Sequence, residues 1–393
     1  MSPQTSPRLA PEPEKILVVK LADFGDALLT TPALRALRET YPAAGLDVLT
    51  TPGAAPVYRH CELADDVLEF EKARYDAWSG VLSGPLAPLD LGRSLRARGY
   101  DTVVLLHHLT TRYGALKHAA LVRATGAPRR IGLARLGSAR GRFLTRAASD
   151  IGFGVEHEAA IALSIARAAG ASTSDLSLAF EPGADARAAA ASLLGERDAG
   201  SAPDGAPGAA RRPTVAVHPG SGPYSVARRW PPERFAMVAD ALTASGVDVV
   251  LVGRSDDDTA GVRAASGGIA LDLTDRTSLP TLAAVLARVD LLISNDSGVM
   301  HLATAMGTPI VAVFGPTSER AWGPWDPSAG DVHAARSPNR HTVVALDLPC
   351  RPCLYRAFSL GSRDGCPTRD CLLWLDSRQV VDAALESLSQ PRL

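Results

Sequence analysis

No uninterrupted apolar stretch in the 393-residue chain approaches the roughly 20 residues that a membrane-spanning helix needs. The first residues, MSPQTSPRLAPEPE, hold no apolar run either and are rich in proline, so 1–14 reads as a disordered tail and not a signal peptide. A cytoplasmic location is the expectation. Charge of one sign is missing as well: a formal net charge of -1 gives no whole-molecule pull toward nucleic acid or an anionic membrane, and every charge argument must be local. Cysteine is scarce, with Cys61 alone and four residues gathered between Cys350 and Cys371, unlike a disulfide scaffold spread through a secreted fold. There is no short-period repeat. The opening loop lacks the three spaced glycines of a dinucleotide fingerprint, which removes the main support for a dehydrogenase.

What is present is ordinary globular material. Hydrophobic residues make up 46% and charged ones 21%, and the length is too great for one core, so two domains and a cleft between them are expected. Short runs of Val, Ile and Leu alternate with amphipathic segments, beginning with KILVVK at Ile16 to Val19 and continuing through LDVL, TVVLLHH and a helical stretch from Tyr113 to Ala124. Continuously apolar strands with helices between them argue a parallel sheet covered on both faces, an α/β architecture. We assign 15–180 to the first domain. From Glu181 the composition changes, and 181–213 reads as a linker whose most biased part is RDAGSAPDGAPGAARRP. The strand–helix pattern then restarts over 214–375 with TVAVHPG, VDVVLVG, IALDLT, DLLISND and PIVAVFG. The amphipathic segment in 376–393 predicts a helix that packs back toward the first domain.

Three loops at strand ends can carry chemistry. LADFGDALLTTPALRAL leaves the first strand, with Gly25 allowing a tight turn and Asp26 placed at the carboxyl end of a parallel sheet, where open α/β folds bind ligands. Asp is also an ordinary helix cap. In HPGSGPYSVARRWPPERF, Gly220, Ser221 and Gly222 offer backbone N–H groups while Arg228 and Arg229 bring charge, a set that suits a phosphate. A surface turn with solvated arginines is the alternative. In DLLISNDSGVMHLATAMGTPIVAVFGPTS, Asp296 and Ser297 stand where a helix starts, and its free N–H groups and positive dipole end favour a diphosphate. His301, three residues beyond Gly298, can face the same ligand. An N-capped core helix reads equally from these letters.

Taken in order, these segments resemble glycosyltransferase family 9, the bacterial heptosyltransferases of lipopolysaccharide core assembly, from about Lys15 to the final helix. The resemblance implies a GT-B fold of two Rossmann-like domains facing across a cleft, an ADP-sugar donor on the C-terminal side and a glycolipid or other anionic glycan acceptor on the N-terminal side. It implies inversion at the anomeric carbon with no metal cofactor required for catalysis. Asp26 matches the general base. Arg228 stands where relatives carry a Lys on the donor phosphates, and Gly220, Ser221, Asp296, Ser297, Gly298 and His301 match the donor-binding turns. Asp256 and Asp257 lie where an acidic residue reaches the ribose, and Thr277 falls in a segment that lines the nucleoside pocket. Transfer of another nucleotide sugar, or a non-catalytic sugar-nucleotide-binding role, are the alternatives.

For the acceptor, His107 ends a strand, and Arg129, Arg130 and Arg135 belong to an arginine-rich part of the first domain that suits an anionic partner. No nucleic-acid partner is expected, while peripheral contact with the inner face of the inner membrane is compatible with such an acceptor. Cys350, Cys353, Cys366 and Cys371, in a loop spanning 349–371, have the spacing C-x2-C-x12-C-x4-C, which can close a structural zinc site. Two disulfides or four free thiols are the other readings.

Overall fold

The computed structural model describes residues 12–71, 87–195, 211–222, 224–327 and 341–390. The first domain runs β1 (Lys15–Lys20), α1 (Phe24–Leu28), α2 (Thr31–Thr40), β2 (Gly45–Thr50), α3 (Ala55–Arg59), β3 (Asp66–Glu69) and α4 (Ala87–Ala97). It continues with β4 (Thr102–Leu105), α5 (Arg112–Ala124), β5 (Arg129–Ala134), β6 (Arg146–Ser149), α6 (Glu158–Ala168) and α7 (Ala184–Leu194). The second runs β7 (Thr214–His218), α8 (Pro232–Ala244), β8 (Asp248–Leu251), α9 (Thr259–Ala265), β9 (Ile269–Asp272), α10 (Leu279–Leu286) and β10 (Leu291–Asn295). It ends with α11 (Gly298–Ala305), β11 (Ile310–Phe314), α12 (Glu319–Trp322), β12 (Thr342–Ala345), α13 (Asp370–Leu373) and α14 (Ser377–Ser389).

Each domain holds one six-stranded sheet, in the orders β3-β2-β1-β4-β5-β6 and β12-β11-β10-β7-β8-β9. Every neighbouring pair is parallel. The central strands β1, β4, β7, β10 and β11 are buried along almost their whole length because helices cover both faces, which is why their sequences are apolar without alternation. The outer strands β3 and β6 are exposed at most positions, and their letters, DVLE and RAAS, carry little apolar signal. In both sheets the chain order reverses beside the first strand of the domain, between β1 and β4 and between β7 and β10.

Two expectations need correction. Part of the stretch read as linker is the helix α7, whose Ala186, Ala190 and Leu194 form a buried stripe at i, i+4, i+8 against α10 of the second domain. Its small alanines disguise an amphipathic face as a composition change. The rest of that linker, 196–210, and most of the N-terminal tail lie outside the described residues. The terminal helix α14 does not pack toward the first domain. It buries Val380 and Ala384 against α8 and the β10–β12 strands, where a second core cluster around Trp230 and Phe235 receives it.

Candidate active site

A reversal of strand order sends the two adjacent loops to opposite faces of a sheet and leaves a crevice at the strands' carboxyl ends. Here the loops that follow β1, β4, β7 and β10 all line one cleft of about 500 Å³ between the domains. The two domains come close at Gly25 and Gly298. A Cβ on Gly25 would lie 2.6 Å from the Cα of Gly298, and one on Gly298 would lie 2.6 Å from the ring of Phe24. Glycine at both positions lets α1 and α11 meet backbone to backbone.

Asp26 projects into this cleft from the first turn of α1. It is not the helix cap, a position taken by Asp23, so the capping alternative does not account for it. Burial pushes its carboxyl above the usual carboxylate range. The charge of Lys20 opposes that push, Glu158 and Asp23 add to it, and Arg228 opposes it in turn.

Arg228 faces Asp26 from the second domain. Its Nη1 lies 3.4 Å from Asp296 Oδ2 and donates to the Asp296 carbonyl at 3.3 Å, while Nη2 donates to the Ser221 carbonyl. Asp296 Oδ2 also accepts from Thr317 at 2.7 Å. The Asp296 carboxylate thus fixes the guanidinium, and the Arg228 Nε has no hydrogen-bond partner among the described residues. Ser297 caps α11: its Oγ accepts from the Met300 N–H at 3.4 Å and pairs with Ser294 at 2.9 Å. With the hydroxyl occupied, the other exposed N–H groups of the helix start remain for an anion. Burial lowers the His301 ring to about 3, helped by His157 and Arg228, so this imidazole is neutral at physiological pH. Asn295 joins the two donor-side loops. Its Oδ1 accepts from the Trp230 N–H at 3.0 Å and its Nδ2 donates to the Pro219 carbonyl at 2.6 Å.

The family model described as glycosyltransferase family 9 (heptosyltransferase) matches residues 89–348, about two thirds of the sequence. The chain belongs to glycosyltransferase family 9. Over 337 residues it is 27% identical to lipopolysaccharide heptosyltransferase 3 of Escherichia coli K12, covering 81% of this chain and 88% of that protein. It is 33% identical over 113 residues to lipooligosaccharide heptosyltransferase 2 of Haemophilus influenzae, a match to 27% of this chain. That match spans 32% of the length of the H. influenzae relative, and the same share of its Salmonella typhimurium counterpart. Among solved structures, a family 9 glycosyltransferase from Veillonella parvula superposes with a TM-score of 0.68 at 23% identity, covering 95% of this chain and 97% of that one. The ADP-heptose lipopolysaccharide heptosyltransferase II of E. coli superposes with a TM-score of 0.65 at 21% identity, covering 95% and 98%. The fold is GT-B, two Rossmann-like domains across a cleft.

Of the family 9 positions read from the sequence, Asp26, Ser221, Arg228, Asp296, Ser297, Gly298 and His301 come together along the cleft, and the acceptor candidate His107 joins them. Gly220 lies just behind it: a Cβ there would sit 2.0 Å from Asp257 Oδ1, so this glycine makes room for a buried carboxylate. Asp257 accepts from the Arg254 N–H at 3.1 Å and pairs with Arg229 at 3.6 Å, a loop-bracing role. Asp256 is solvent-exposed beside Arg254, and Thr277 stands just ahead of α10; neither lines this cleft.

The acceptor arginines separate further. Arg129 and Arg130 open β5, at the end of the sheet opposite the cleft, where Arg129 pairs with Asp101 at 2.6 Å and Arg130 Nε donates to the Phe143 carbonyl at 2.8 Å. Arg135 follows β5 at the correct end, but its guanidinium lies over the Phe358 ring at 3.8 Å. Arg123, Arg140 and Arg142 surround a different hollow of about 470 Å³ on the face of α5. Residues not anticipated do reach the cleft: Lys20, Glu158, Phe153, Trp322 and Tyr355. Strand-end reasoning reaches Lys20, the last residue of β1; no local pattern marks the aromatics.

Cys350, Cys353, Cys366 and Cys371 come near enough to act on one another electrostatically. Among the described residues no group of three or more His, Cys, Asp or Glu side chains is arranged to hold a metal ion. Cys371 is buried in the core on α13, and burial pushes its thiol up to about 11. Cys350 and Cys366 are exposed, and the Cys366 sulfur accepts from the Arg369 N–H at 3.3 Å. Arg351 pins the loop, donating to the carbonyls of Gly315 at 2.5 Å and Leu346 at 2.6 Å and to Glu319 at 2.9 Å.

Proposed function

We propose that this family 9 chain is an inverting, metal-independent glycosyltransferase that moves a heptose from an ADP-heptose-type donor to a lipopolysaccharide core or related glycan acceptor. One observation carries the reading: an acidic side chain with raised proton affinity faces a fixed arginine and a helix N-terminus across a single interdomain cleft. Asp26 withdraws the acceptor hydroxyl's proton as the oxygen attacks the anomeric carbon from the first-domain side. The new O–C bond forms as the bond to the donor phosphate breaks on the opposite side, which inverts the centre. Arg228 and the N–H groups of α11 receive the charge that builds on the diphosphate, so the leaving group's countercharge comes from the protein. Neutral His301 supplies a polar ring beside the same helix start.

The choice of heptose and of ADP rests on relatives that carry the heptosyltransferase name and on an E. coli heptosyltransferase solved with ADP. No helix among the described residues is long and apolar enough to cross a membrane, and we place the reaction in the cytoplasm, with peripheral contact at the inner membrane where a glycolipid acceptor resides. The test is to incubate the protein with ADP-heptose and candidate acceptors while following ADP release and glycan mass. Asp26→Asn should abolish transfer and leave ADP-heptose binding largely intact. Substantial residual transfer removes Asp26 as the base, and tight donor binding with no turnover on any acceptor favours a binding protein.

A further inference from the structure

Behind Asp26 lies a second carboxylate that the reaction as described does not use. Glu158 opens α6, and its side chain, about 10% exposed, borders both the main cleft and a small cavity it shares with Asp26, Lys20 and His108. That cavity measures about 10 Å³, close to the space of a single water molecule. Two carboxylates that border one enclosed space compete for a proton, and the environment of each decides which one takes it.

Glu158 is joined through His108 to a further carboxylate. Its Oε1 stands 3.4 Å from His108 Nε2, and His108 Nδ1 stands 3.1 Å from Asp150 Oδ1. Both His108 and Asp150 are nearly enclosed, Asp150 also accepts the Gly152 N–H at 3.0 Å, and the His108 ring lies against Phe153 with centroids 4.4 Å apart. Burial on its own would lower this imidazole, but the hydrogen bonds and charges of Asp150 and Glu158 outweigh it and push it up to about 9. A cation therefore sits between two carboxylates, one step removed from Asp26. On the far side of His108 a pocket of about 210 Å³ opens past exposed Ser149 and Glu156, so Asp150 is held near solvent and Glu158 near the base.

We infer that Glu158 is a positioning residue for Asp26, a negative charge fixed by His108 and Asp150 that directs the acceptor's proton onto Asp26. The inference rests on the reading of Asp26 as general base. The groups that act on Asp26 are Lys20 at the end of β1, Asp23 ahead of α1, Glu158 on α6 and Arg228 from the second domain, with the hydroxyls of Tyr58 on α3 and Tyr355 from the second domain also within its field. Lys20 and Arg228 oppose the uptake of a proton there; Asp23 and Glu158 favour it, and of these two Glu158 contributes more. Only Glu158 is backed by a cation on the side away from the base. The proton transfer itself is simple: the acceptor O–H bond breaks, its electron pair goes to the new bond with the anomeric carbon, and the proton joins the Asp26 carboxylate. Glu158 exchanges no proton and touches no reacting atom.

The test is the pH dependence of kcat for transfer from ADP-heptose to a lipopolysaccharide core lacking that sugar, followed by ADP release. Glu158→Gln keeps the shape and removes the charge. The acid limb of its profile should move to lower pH, and kcat on the plateau should fall on the order of tenfold, about one decade of base strength. KM for the donor should stay within about twofold, since the donor-binding groups are untouched. Glu158→Asp, which keeps the charge one methylene further back, should place its limb between the other two. A Glu158→Gln limb that coincides with wild type overturns the inference, and if that variant does not fold, a Glu158→Asp limb coinciding with wild type does the same. Asp26→Asn separates the two claims. If it still transfers sugar, the base assignment fails; if it is inactive and the Glu158 limbs are unmoved, only the role of Glu158 fails.

Discussion

Replacing Gly25 by alanine tests whether the approach of the two domains, and not the stability of either, sets the rate. The added Cβ would meet the Gly298 Cα at 2.6 Å, and because that atom belongs to the backbone, no rotamer change relieves the contact. Ordinary carbon–carbon packing begins near 3.5 Å, so α1 and α11 must separate by about 1 Å. Gly25 does not have a positive φ, and alanine in a helix is favoured over glycine by roughly 1 kcal/mol, so the first domain should not be weakened. The whole penalty falls on the interface between Asp26 and the donor clamp. A misplacement of about 1 Å between reacting groups costs on the order of 100-fold in rate. We expect kcat/KM for transfer from ADP-heptose to fall by about that factor while the calorimetric Tm holds or rises. Wild-type kcat/KM in Gly25→Ala would refute the reasoning, and so would a loss of activity that merely tracks a fall in Tm.

Arg228→Ala should weaken ADP binding by calorimetry on the order of 10- to 100-fold, the scale of lost charge-assisted hydrogen bonds, and unchanged affinity would defeat the phosphate assignment. Asn295→Ala strands the Trp230 N–H and the Pro219 carbonyl in a buried site, so urea unfolding should show a loss of about 2–4 kcal/mol; a loss below about 0.5 kcal/mol counts against that link between the loops. His108 is raised from 6.5 to about 9 on folding, so its stabilisation is fully present below about pH 6.5 and disappears as pH rises through about 9, a difference of roughly 3 kcal/mol. In His108→Gln that part of the stability–pH slope should vanish, and a slope equal to wild type would show the interaction to be absent in solution.

The strand-end rule made most of the donor side legible. Ser221, Asp296 and Ser297 follow β7 or β10 within three residues, Arg228 and His301 lie further along the same loops and helix, and apolar strands announce where those loops begin. The rule failed where a motif was followed beyond its strand end. Arg129 and Arg130 share a dense run of arginine with Arg135, yet a parallel strand carries its first and last residues to opposite edges of the sheet, and only Arg135 emerges on the side of the cleft. Helix α7 was missed because alanine contributes little hydrophobic contrast, so its stripe shows only once α10 supplies the opposite surface. Asp257 was placed on a ligand because its neighbours resemble a binding loop, whereas Gly220 receives it as a buried brace. Glu158 and Tyr355 reach the cleft from 132 and 329 positions beyond Asp26, a proximity that chain order alone does not encode.

The division of labour between the domains bears on when the base is strong. Asp26 belongs to the first domain, Arg228 to the second, and the largest influence on Asp26 is burial, to which the approach of the second domain contributes. Separation of the domains changes two things in opposite directions: it returns water to Asp26, which lowers its proton affinity, and it withdraws the Arg228 charge, which raises it. In the arrangement seen here burial is the largest influence on Asp26 and Arg228 opposes it. Glu158, His108 and Asp150 all lie in the first domain, together with Asp26. On the proposed mechanism, the group that takes the acceptor's proton and the group that receives the leaving group's charge thus come from different domains and face one another across the cleft.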